Sequence, residues 1–248
     1  MLLNELANYI ASLLQTDLFK DYCPNGLQVE GRAQVRRIAT GVTASQQVLD
    51  SAIAWGADAI LVHHGYFWRN EDATITGIKK RRISQLLRND VSLLAYHLPL
   101  DAHHELGNNA RFGKLLGLTE QGRFGEQNIA CIGELASSQR LNQFAAQIGQ
   151  TLQRAPQTIG DGNKDIRKVA WCSGGGQGYF EAAISLGADA FITGEISEQS
   201  FHIAQESGVA FIAAGHHATE RLGVLALGEH LAGQFELEHR FFYQANPV

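Results

Sequence analysis

Short apolar runs alternate with segments of helical periodicity along most of the chain. The apolar runs predict buried strands, and apolar residues spaced three or four positions apart predict amphipathic helices. The predicted strands cover 35–42, 58–63, 91–96, 129–135, 167–172, 188–193, 208–214 and 235–243. The predicted helices cover 2–16, 45–55, 77–89, 107–116, 138–150, 177–186, 197–207 and 218–233. This alternation is typical of a three-layer α/β fold with largely parallel sheets between helices.

One part of this pattern occurs twice. The stretch RIATGVTASQQVLDSAIAWGADAILVHH (37–64) aligns without a gap to KVAWCSGGGQGYFEAAISLGADAFITGE (168–195), at an offset of 131 residues. A weaker echo relates SLLAYHLPLD (92–101) to AFIAAGHHATE (210–220) once a slip of one residue is allowed. Two echoes in the same order favour an internal duplication. We therefore expect two related, interlinked α/β lobes, 1–124 and 125–248, around a shared site.

The composition restricts the class of protein. The chain has 248 residues, of which 45% are hydrophobic, enough for a sizeable core. A net charge of −5 argues against a nucleic-acid partner. The three cysteines are far apart and form no CxxC, which disfavours disulfides and a thiolate metal site and fits a reducing compartment. No apolar segment reaches the roughly 18 residues that span a bilayer. We expect a cytoplasmic protein without a membrane partner.

Polar side chains follow the ends of four predicted strands. His63 and His64 end one strand, and His97 follows the next. In the second half of the chain, Glu195 and His216 occupy similar positions. Ligands of open α/β sheets bind beyond the carboxyl ends of the strands. We therefore expect these side chains to converge on one edge.

Imidazole and carboxylate groups in this arrangement predict a metal site. Neighbouring side chains of an extended segment point to opposite sides, so His63 and His64 are better placed to serve two ions than one. His216 and Glu220 have i, i+4 spacing, which puts them on one face of a helix, and such a carboxylate can bridge ions about 3.5–4 Å apart. Asp101 follows a proline-containing turn. A structural or surface role is the alternative for each of these residues.

Other polar residues keep more than one interpretation. His97 is a candidate ligand, a residue that orients a ligand, or an acid–base group. The glycine-rich loop CSGGGQG (172–178) could hold a phosphate on its N–H groups, or it could be a closely packed turn. Glu195 and Glu198 are predicted to interact with the dipole of the following helix. The remaining histidines are predicted to lie outside the ligand set: His103, His104, His202, His217, His230 and His239.

Seven motifs, taken in chain order, carry a family resemblance. They are PNGLQVEG, GVTAS, GADAILVHHG, HLPLDAHHELGNN, GGGQG, ADAFITGE and GHHATE. Together they resemble the NGG-interacting-factor-like family, whose members are often labelled GTP cyclohydrolase type-two homologues. The resemblance runs from about residue 20 to residue 223 and is to the short, two-lobed bacterial form.

This resemblance implies a dinuclear metal centre in an α/β fold that assembles as a toroidal homo-hexamer. The family's ligands match His63, His64, Asp101, His216 and Glu220, the five residues that the spacing also favours. His97 matches a histidine beside the site. Many members have GHYATE where this chain has GHHATE, so the contact made at position 217 differs from theirs.

Two functional hypotheses follow. In the first, two divalent ions, with iron, zinc and manganese as candidates, activate water to hydrolyse a nucleotide or another small phosphorylated or heterocyclic substrate. His97 is then the candidate proton shuttle, because an unperturbed histidine titrates near neutral pH. In the second, the chain is a non-catalytic metal-binding or ligand-sensing assembly that recruits partners. The sequence leaves both hypotheses open.

Overall fold

The computed structural model describes residues 1–248, which form a mixed α/β fold with two sheets flanked by helices. The chain divides into two compact units. The first unit contains Met1–Leu100 and Gly223–Ala245, and the second contains Asp101–Leu222 and Asn246–Val248. None of the helices combines the length and the apolar character that crossing a membrane requires.

The first unit has a five-stranded sheet in the order β1-β4-β3-β2-β11. Strands β2, β3, β4 and β11 run parallel to one another, and β1 pairs with β4 in the antiparallel direction. The strands are β1 (Gly26–Val29), β2 (Arg37–Thr43), β3 (Ala59–His64), β4 (Ser92–Ala95) and β11 (Glu238–Phe241). The helices of this unit are α1 (Leu3–Leu14), α2 (Gln46–Trp55) and α3 (Gly77–Arg88). A boundary between the units falls within each of α4 (Leu98–Ala102) and α10 (Arg221–Phe235).

The second unit has a six-stranded sheet in the order β5-β6-β8-β9-β10-β7. Only β8, β9 and β10 are mutually parallel. The strands are β5 (Leu118–Phe124), β6 (Ala130–Arg140), β7 (Gln157–Ile159), β8 (Asp165–Trp171), β9 (Ala190–Thr193) and β10 (Ala210–Ala213). The helices are α5 (Asn108–Leu115), α6 (Leu141–Leu152), α7 (Phe180–Ser185), α8 (Glu198–Ser207) and α9 (His216–Thr219).

The predicted elements are all present, and three strands were not predicted. Three of the four strand pairings in the first sheet are parallel, as expected, whereas only two of the five in the second sheet are. The missed strands β1, β5 and β7 lie at sheet edges and pair in the antiparallel direction. Edge strands are partly exposed, so they lack the continuous apolar run that reveals a central strand.

The two units repeat one topology. The order β1-β4-β3-β2 in the first sheet matches β7-β10-β9-β8 in the second, with the same parallel and antiparallel pairings. A helix precedes each of these sets, α1 before β1 and α6 before β7. This correspondence supports the predicted duplication, while the lobe boundary at residue 124 stays a prediction.

The repeated GADA motif has a structural role in both units. The carboxylate of Asp58 accepts hydrogen bonds from the main-chain N–H groups of residues 36 and 37, at 2.8 and 3.0 Å. Asp189, 131 positions later, accepts the equivalent bonds from residues 167 and 168, at 3.0 and 2.8 Å. Each aspartate therefore ties the start of one parallel strand to the start of its neighbour.

Each unit has its own apolar core, which fixes the strand ends. In the first unit, Leu49 of α2 and Leu86 of α3 pack with Ile60 and Leu93 of the central strands. In the second unit, the core includes the fully buried Trp171 at the end of β8. Close packing of this kind leaves little freedom to the residues that directly follow the strands.

Candidate metal centre

In the first unit, three histidines meet where neighbouring strands end. His63 and His64 end β3, and His97 follows β4, whose residue Ala95 pairs with Val62 of β3. The ring centroids are 4.7 Å apart for His63 and His64, 5.0 Å for His63 and His97, and 5.7 Å for His64 and His97. One nitrogen of each ring lies within 4.8 Å of the others. Such a cluster of donor nitrogens can hold a transition-metal ion.

The ring of His63 is fixed in one tautomer. It is fully buried, and its Nδ1 lies 3.0 Å from the main-chain oxygen of Tyr96. Because a carbonyl oxygen only accepts hydrogen bonds, Nδ1 must carry the proton. The Nε2 atom then has the lone pair that a metal ion requires. A carbonyl bound to the other ring nitrogen is a common device for orienting metal-binding histidines.

The ring of His97 is held by residues near the N-terminus. Its Nδ1 lies 2.7 Å from Oδ1 of Asp21, and its main-chain N–H donates to Oδ1 of Asn25 at 2.7 Å. Burial raises the pKa of Asp21, but the hydrogen bond and charge of His97, with donors from Asn25 and Tyr22, outweigh it and lower that pKa to about 2. The ionised carboxylate therefore orients His97 and keeps the proton on Nδ1.

Asp21 and Asn25 were not among the predicted site residues. Both lie in the loop DYCPN before β1, and the Pro-Asn-Gly turn was the only local signal. Cys23 in the same loop has a ligand atom within 4.8 Å of those of Asp21 and His97. Burial, assisted by the charge of Asp21, raises the pKa of this thiol to about 12. The thiol is therefore protonated at neutral pH when no ion is bound.

In the second unit, His216 lies between two carboxylates. Helix α9 places His216 one turn before Glu220, and the ring Nε2 is 3.1 Å from Oε2 of Glu220. The other nitrogen, Nδ1, is 2.7 Å from Oε1 of Glu195. Burial lowers the pKa of His216, but Glu220 and Glu195 together outweigh it and raise that pKa to about 9. A metal ion at Nε2 would have to displace this proton.

Asp101 brings a second buried carboxylate to the same unit. The residue is 5% exposed and Glu220 is 3% exposed, and their carboxylate oxygens lie within 4.8 Å of each other. Oδ1 of Asp101 accepts hydrogen bonds from Asn108 at 2.8 Å and from the Ser173 hydroxyl at 2.9 Å. Two buried carboxylates this close repel each other. The protonated His216 ring offsets part of this repulsion at Glu220, and a divalent cation bound to both carboxylates would offset more of it. The donor set therefore fits a metal ion.

The glycine-rich loop is a closely packed turn. The N–H of Gly174 donates to Oγ1 of Thr219 at 2.9 Å, and the N–H groups of residues 173 and 176 also donate to side chains of the second unit. Gly174 has a left-handed φ of 63°, and a Cβ there would lie 2.1 Å from Oε1 of Glu220. The loop thus makes room for the Glu220 carboxylate, and three of its N–H groups are already used. This geometry favours the packed turn over the phosphate loop.

The prediction that Glu195 interacts with the dipole of the following helix was wrong. Helix α8 begins only at Glu198, and Glu195 precedes it and binds His216. Glu198 does lie in the first turn of α8, where it pairs with His202 at 3.0 Å. Only tertiary structure brings Glu195 and His216 together, because they lie 21 positions apart.

Several histidines outside these clusters have structural hydrogen bonds. His230 lies 2.7 Å from the hydroxyl of Tyr9, and His239 lies 2.8 Å from that of Thr40. The ring of His103 accepts hydrogen bonds from two N–H groups of its own loop, and His104 is exposed. His217 is buried.

Comparison with known proteins identifies the family. The profile of the family described as Duf34/NIF3 (NGG1p interacting factor 3) matches residues 1–247. The chain is similar to a protein called GTP cyclohydrolase 1 type 2 homolog from Neisseria meningitidis serogroup B, at 53% identity over 100% of both chains. The protein of the same name from Pseudomonas aeruginosa is 53% identical over 92% of both chains. The chain belongs to the Duf34/NIF3 family.

A solved structure supports this assignment. The protein ybgI, described as of unknown function, has a TM-score of 0.97 and 48% sequence identity, and the match covers 100% of both chains. The predicted resemblance to the NGG-interacting-factor-like family is therefore confirmed, as is the α/β fold.

Proposed function

We propose that the chain binds two divalent metal ions and hydrolyses a nucleotide or another small phosphorylated or heterocyclic compound. The proposed ligands are His63 and His64 from the first unit and Asp101, His216 and Glu220 from the second. Neutral imidazoles and carboxylates suit iron, zinc and manganese.

One observation carries this proposal more than any other. Asp101 and Glu220 are both almost fully buried and lie within 4.8 Å of each other. At this distance the repulsion of two unit charges is about 3–4 kcal/mol at an effective dielectric constant of 20. A nearby cation offsets this repulsion. The protonated His216 ring, 3.1 Å from Oε2 of Glu220, supplies one positive charge, and a divalent ion bound to both carboxylates would supply two. Gly174 leaves room for the Glu220 carboxylate in this arrangement. This supports a cation site that includes both residues.

The chain's own groups provide the proton transfer. Bound divalent ions supply Lewis acidity, which makes water more acidic and polarises the bond under attack. Asp21 holds the Nδ1 proton of His97, so that Nε2 of the same ring is the atom that exchanges protons with water and leaving group. A carboxylate that orients an imidazole in this way also stabilises its protonated form.

The names of the relatives support the substrate class only in part. Proteins 53% identical to this chain carry the name GTP cyclohydrolase 1 type 2 homolog, which suggests a nucleotide as substrate. The closely packed loop 172–178 does not add support for a phosphate site. A screen should therefore include heterocyclic compounds without phosphate.

The experiment that tests this proposal compares His97→Asn with wild type, both loaded with iron, zinc or manganese. Turnover is screened on nucleotides, phosphoesters and heterocyclic amides, with His104→Asn as the control because that side chain is 78% exposed. We expect His97→Asn to lower kcat by about 10²–10⁴-fold with unchanged metal content. An unchanged kcat would remove the proton-transfer role of His97. A metal-loaded wild type without turnover would contradict the hydrolase and favour a non-catalytic metal-binding protein.

The homo-hexamer stays a prediction from the family resemblance. Analytical ultracentrifugation of the full chain tests it directly. A species of six chains is expected, and a monomer at micromolar concentration would contradict the hexamer.

A further inference from the structure

Two aromatic rings flank the histidine cluster of the first unit. The Trp68 ring lies 5.0 Å from the His97 ring, nearly perpendicular to it at 85°, and 5.8 Å from the His64 ring. The Tyr22 ring lies 6.5 Å from the His97 ring, and this tyrosine is 48% exposed. Large aromatic side chains that stay accessible beside a polar cluster are available for binding a flat ligand.

Specific hydrogen bonds hold this aromatic pair in place. The indole N–H of Trp68 donates to the main-chain oxygen of Gly65 at 3.3 Å, and its main-chain N–H donates to Glu71 at 3.1 Å. The main-chain N–H of Arg69 donates to the oxygen of Tyr22 at 2.6 Å. The two segments that carry the rings are therefore joined to each other, and the Trp68 ring is held in place before any ligand arrives.

The segment after the histidine pair also has strained backbone. Phe67 has a φ of 65° and Asn70 a φ of 70°, both in the left-handed region, and they bracket Trp68 and Arg69. This conformation costs an L-residue roughly 1–2 kcal/mol, more for Phe than for Asn. Lys79 holds the segment by lying 5.0 Å over the Phe67 ring. Strain of this kind persists where the conformation has a function.

Arg69 adds a positive charge at the same place. Its guanidinium lies 5.5 Å over the Tyr22 ring, and its Nη2 donates to the main-chain oxygen of Asp21 at 2.9 Å. Because the Tyr22 ring and the Asp21 carbonyl are uncharged, neither of them neutralises the positive charge of Arg69. Glu71, two positions along the chain, pairs with Lys79 at 3.5 Å, and the carboxylate of Asp21 lies 2.7 Å from the His97 ring. A guanidinium next to an aromatic face suits a flat ligand that carries an anionic group.

We propose that Tyr22, Trp68 and Arg69 form a subsite for a heterocycle that carries a phosphate. The heterocycle stacks on an aromatic face beside His97, and the phosphate contacts Arg69. This inference rests on the proposed function, because it specifies the substrate of that site. The three residues bind and position the ligand, and none of them takes part in the chemical step.

Calorimetric titration of the metal-loaded full chain tests the subsite. The probes are GMP, guanosine and ribose 5-phosphate, which separate the base from the phosphate. We expect Trp68→Leu to weaken the binding of GMP and guanosine by about 5- to 150-fold and to leave ribose 5-phosphate unchanged. Arg69→Gln should weaken GMP and ribose 5-phosphate and leave guanosine unchanged. Trp68→Phe, which keeps an aromatic face, should restore most of the GMP affinity.

Matched controls are Trp55→Leu, whose ring packs on Phe242, and Arg81→Gln on α3. Equal GMP affinity in wild type and Trp68→Leu would overturn the subsite, and so would a wild type that binds none of the three probes. A different result would contradict the proposed function. If the chain binds GMP through Trp68 but shows no turnover, it is a nucleotide-binding protein and not a hydrolase. Conversely, if Trp68→Leu turns over substrate with the same KM as wild type, the hydrolase proposal stands and the subsite is wrong.

Discussion

At the scale of single residues, each unit orients its proposed ligands through groups of its own. Nδ1 of His63 donates to the Tyr96 carbonyl, and Oδ1 of Asp101 accepts from the Ser173 hydroxyl. Glu195 lies at hydrogen-bond distance from Nδ1 of His216. Ligands that are already oriented lose little freedom when an ion binds, which favours affinity and selectivity.

Gly174 offers a test of this arrangement that leaves every proposed ligand in the chain. A Cβ at position 174 would lie 2.1 Å from Oε1 of Glu220, so Gly174→Ala should displace that carboxylate. Gly208→Ala is the matched control, because Gly208 has a similar φ of 69° and open space around it. We expect Gly208→Ala to lose about 1 kcal/mol of stability in urea unfolding, and Gly174→Ala to lose about 1–3 kcal/mol more because of its close contact. Only Gly174→Ala should lose bound metal. Equal metal content in the two variants would contradict this role of Gly174.

Some residues of the candidate site were predictable from the sequence, and others were not. His63 and His64 were predictable, because an apolar run that ends in two histidines places both at a strand end. Asp21 was not, because its contact with His97 spans 76 positions and depends on how the first loop folds back on β4. The same holds for Glu195, which the local pattern assigned to a helix end.

At the scale of elements, burial decides which strands the sequence reveals. Five of the six residues of β3 are buried, and its apolar run predicted it well. One of the seven residues of β5 is buried, and the pattern did not reveal it. The second sheet was expected to be largely parallel. It is mixed, because its two edge strands and the internal pair β6–β8 are antiparallel.

Helix α10 contains two glycines that should respond in opposite ways to alanine. A Cβ at Gly228 would lie 2.2 Å from Nε2 of His239, whose ring bonds to Thr40. Gly233 is exposed and has open space around it. Gly233→Ala should stabilise the chain by about 0.5–1 kcal/mol through helix propensity. Gly228→Ala should destabilise it by about 1–3 kcal/mol because of overpacking. Urea unfolding measures both, and the same sign for both would show that the contact between α10 and β11 is loose.

The aspartate of the repeated motif should matter for stability in both units. Asp189→Ala removes the acceptor of two main-chain N–H groups of β8, those of residues 167 and 168, for an expected loss of about 1–3 kcal/mol. Asp165→Ala on the same strand is the control, because its ion pair with Arg140 is exposed and should contribute less than about 1 kcal/mol. Similar denaturation midpoints for the two variants would mean that the motif has no structural role.

At the scale of the whole molecule, the two units share a strand order but carry their donors at different positions. His63 and His64 are the last two residues of β3, and Gly194 and Glu195, 131 positions later, directly follow β9. Only the first unit has histidines at these positions. The second repeat instead carries its donors after β10, at His216 and Glu220. The alignment of the two halves made the repeat visible in the sequence, whereas the return of residues 223–245 to the first unit left no such signal.

The most direct measurement is the metal content of the untagged chain by elemental analysis, after reconstitution with iron, zinc or manganese and removal of excess ions. Glu220→Ala is compared with wild type and with Glu198→Ala, an exposed glutamate that pairs with His202. We expect about two ions per chain in wild type and Glu198→Ala, the number that a dinuclear hydrolytic site holds, and fewer than about one in Glu220→Ala. Wild type that retains no divalent ion would contradict the metal site and, with it, the proposed hydrolase.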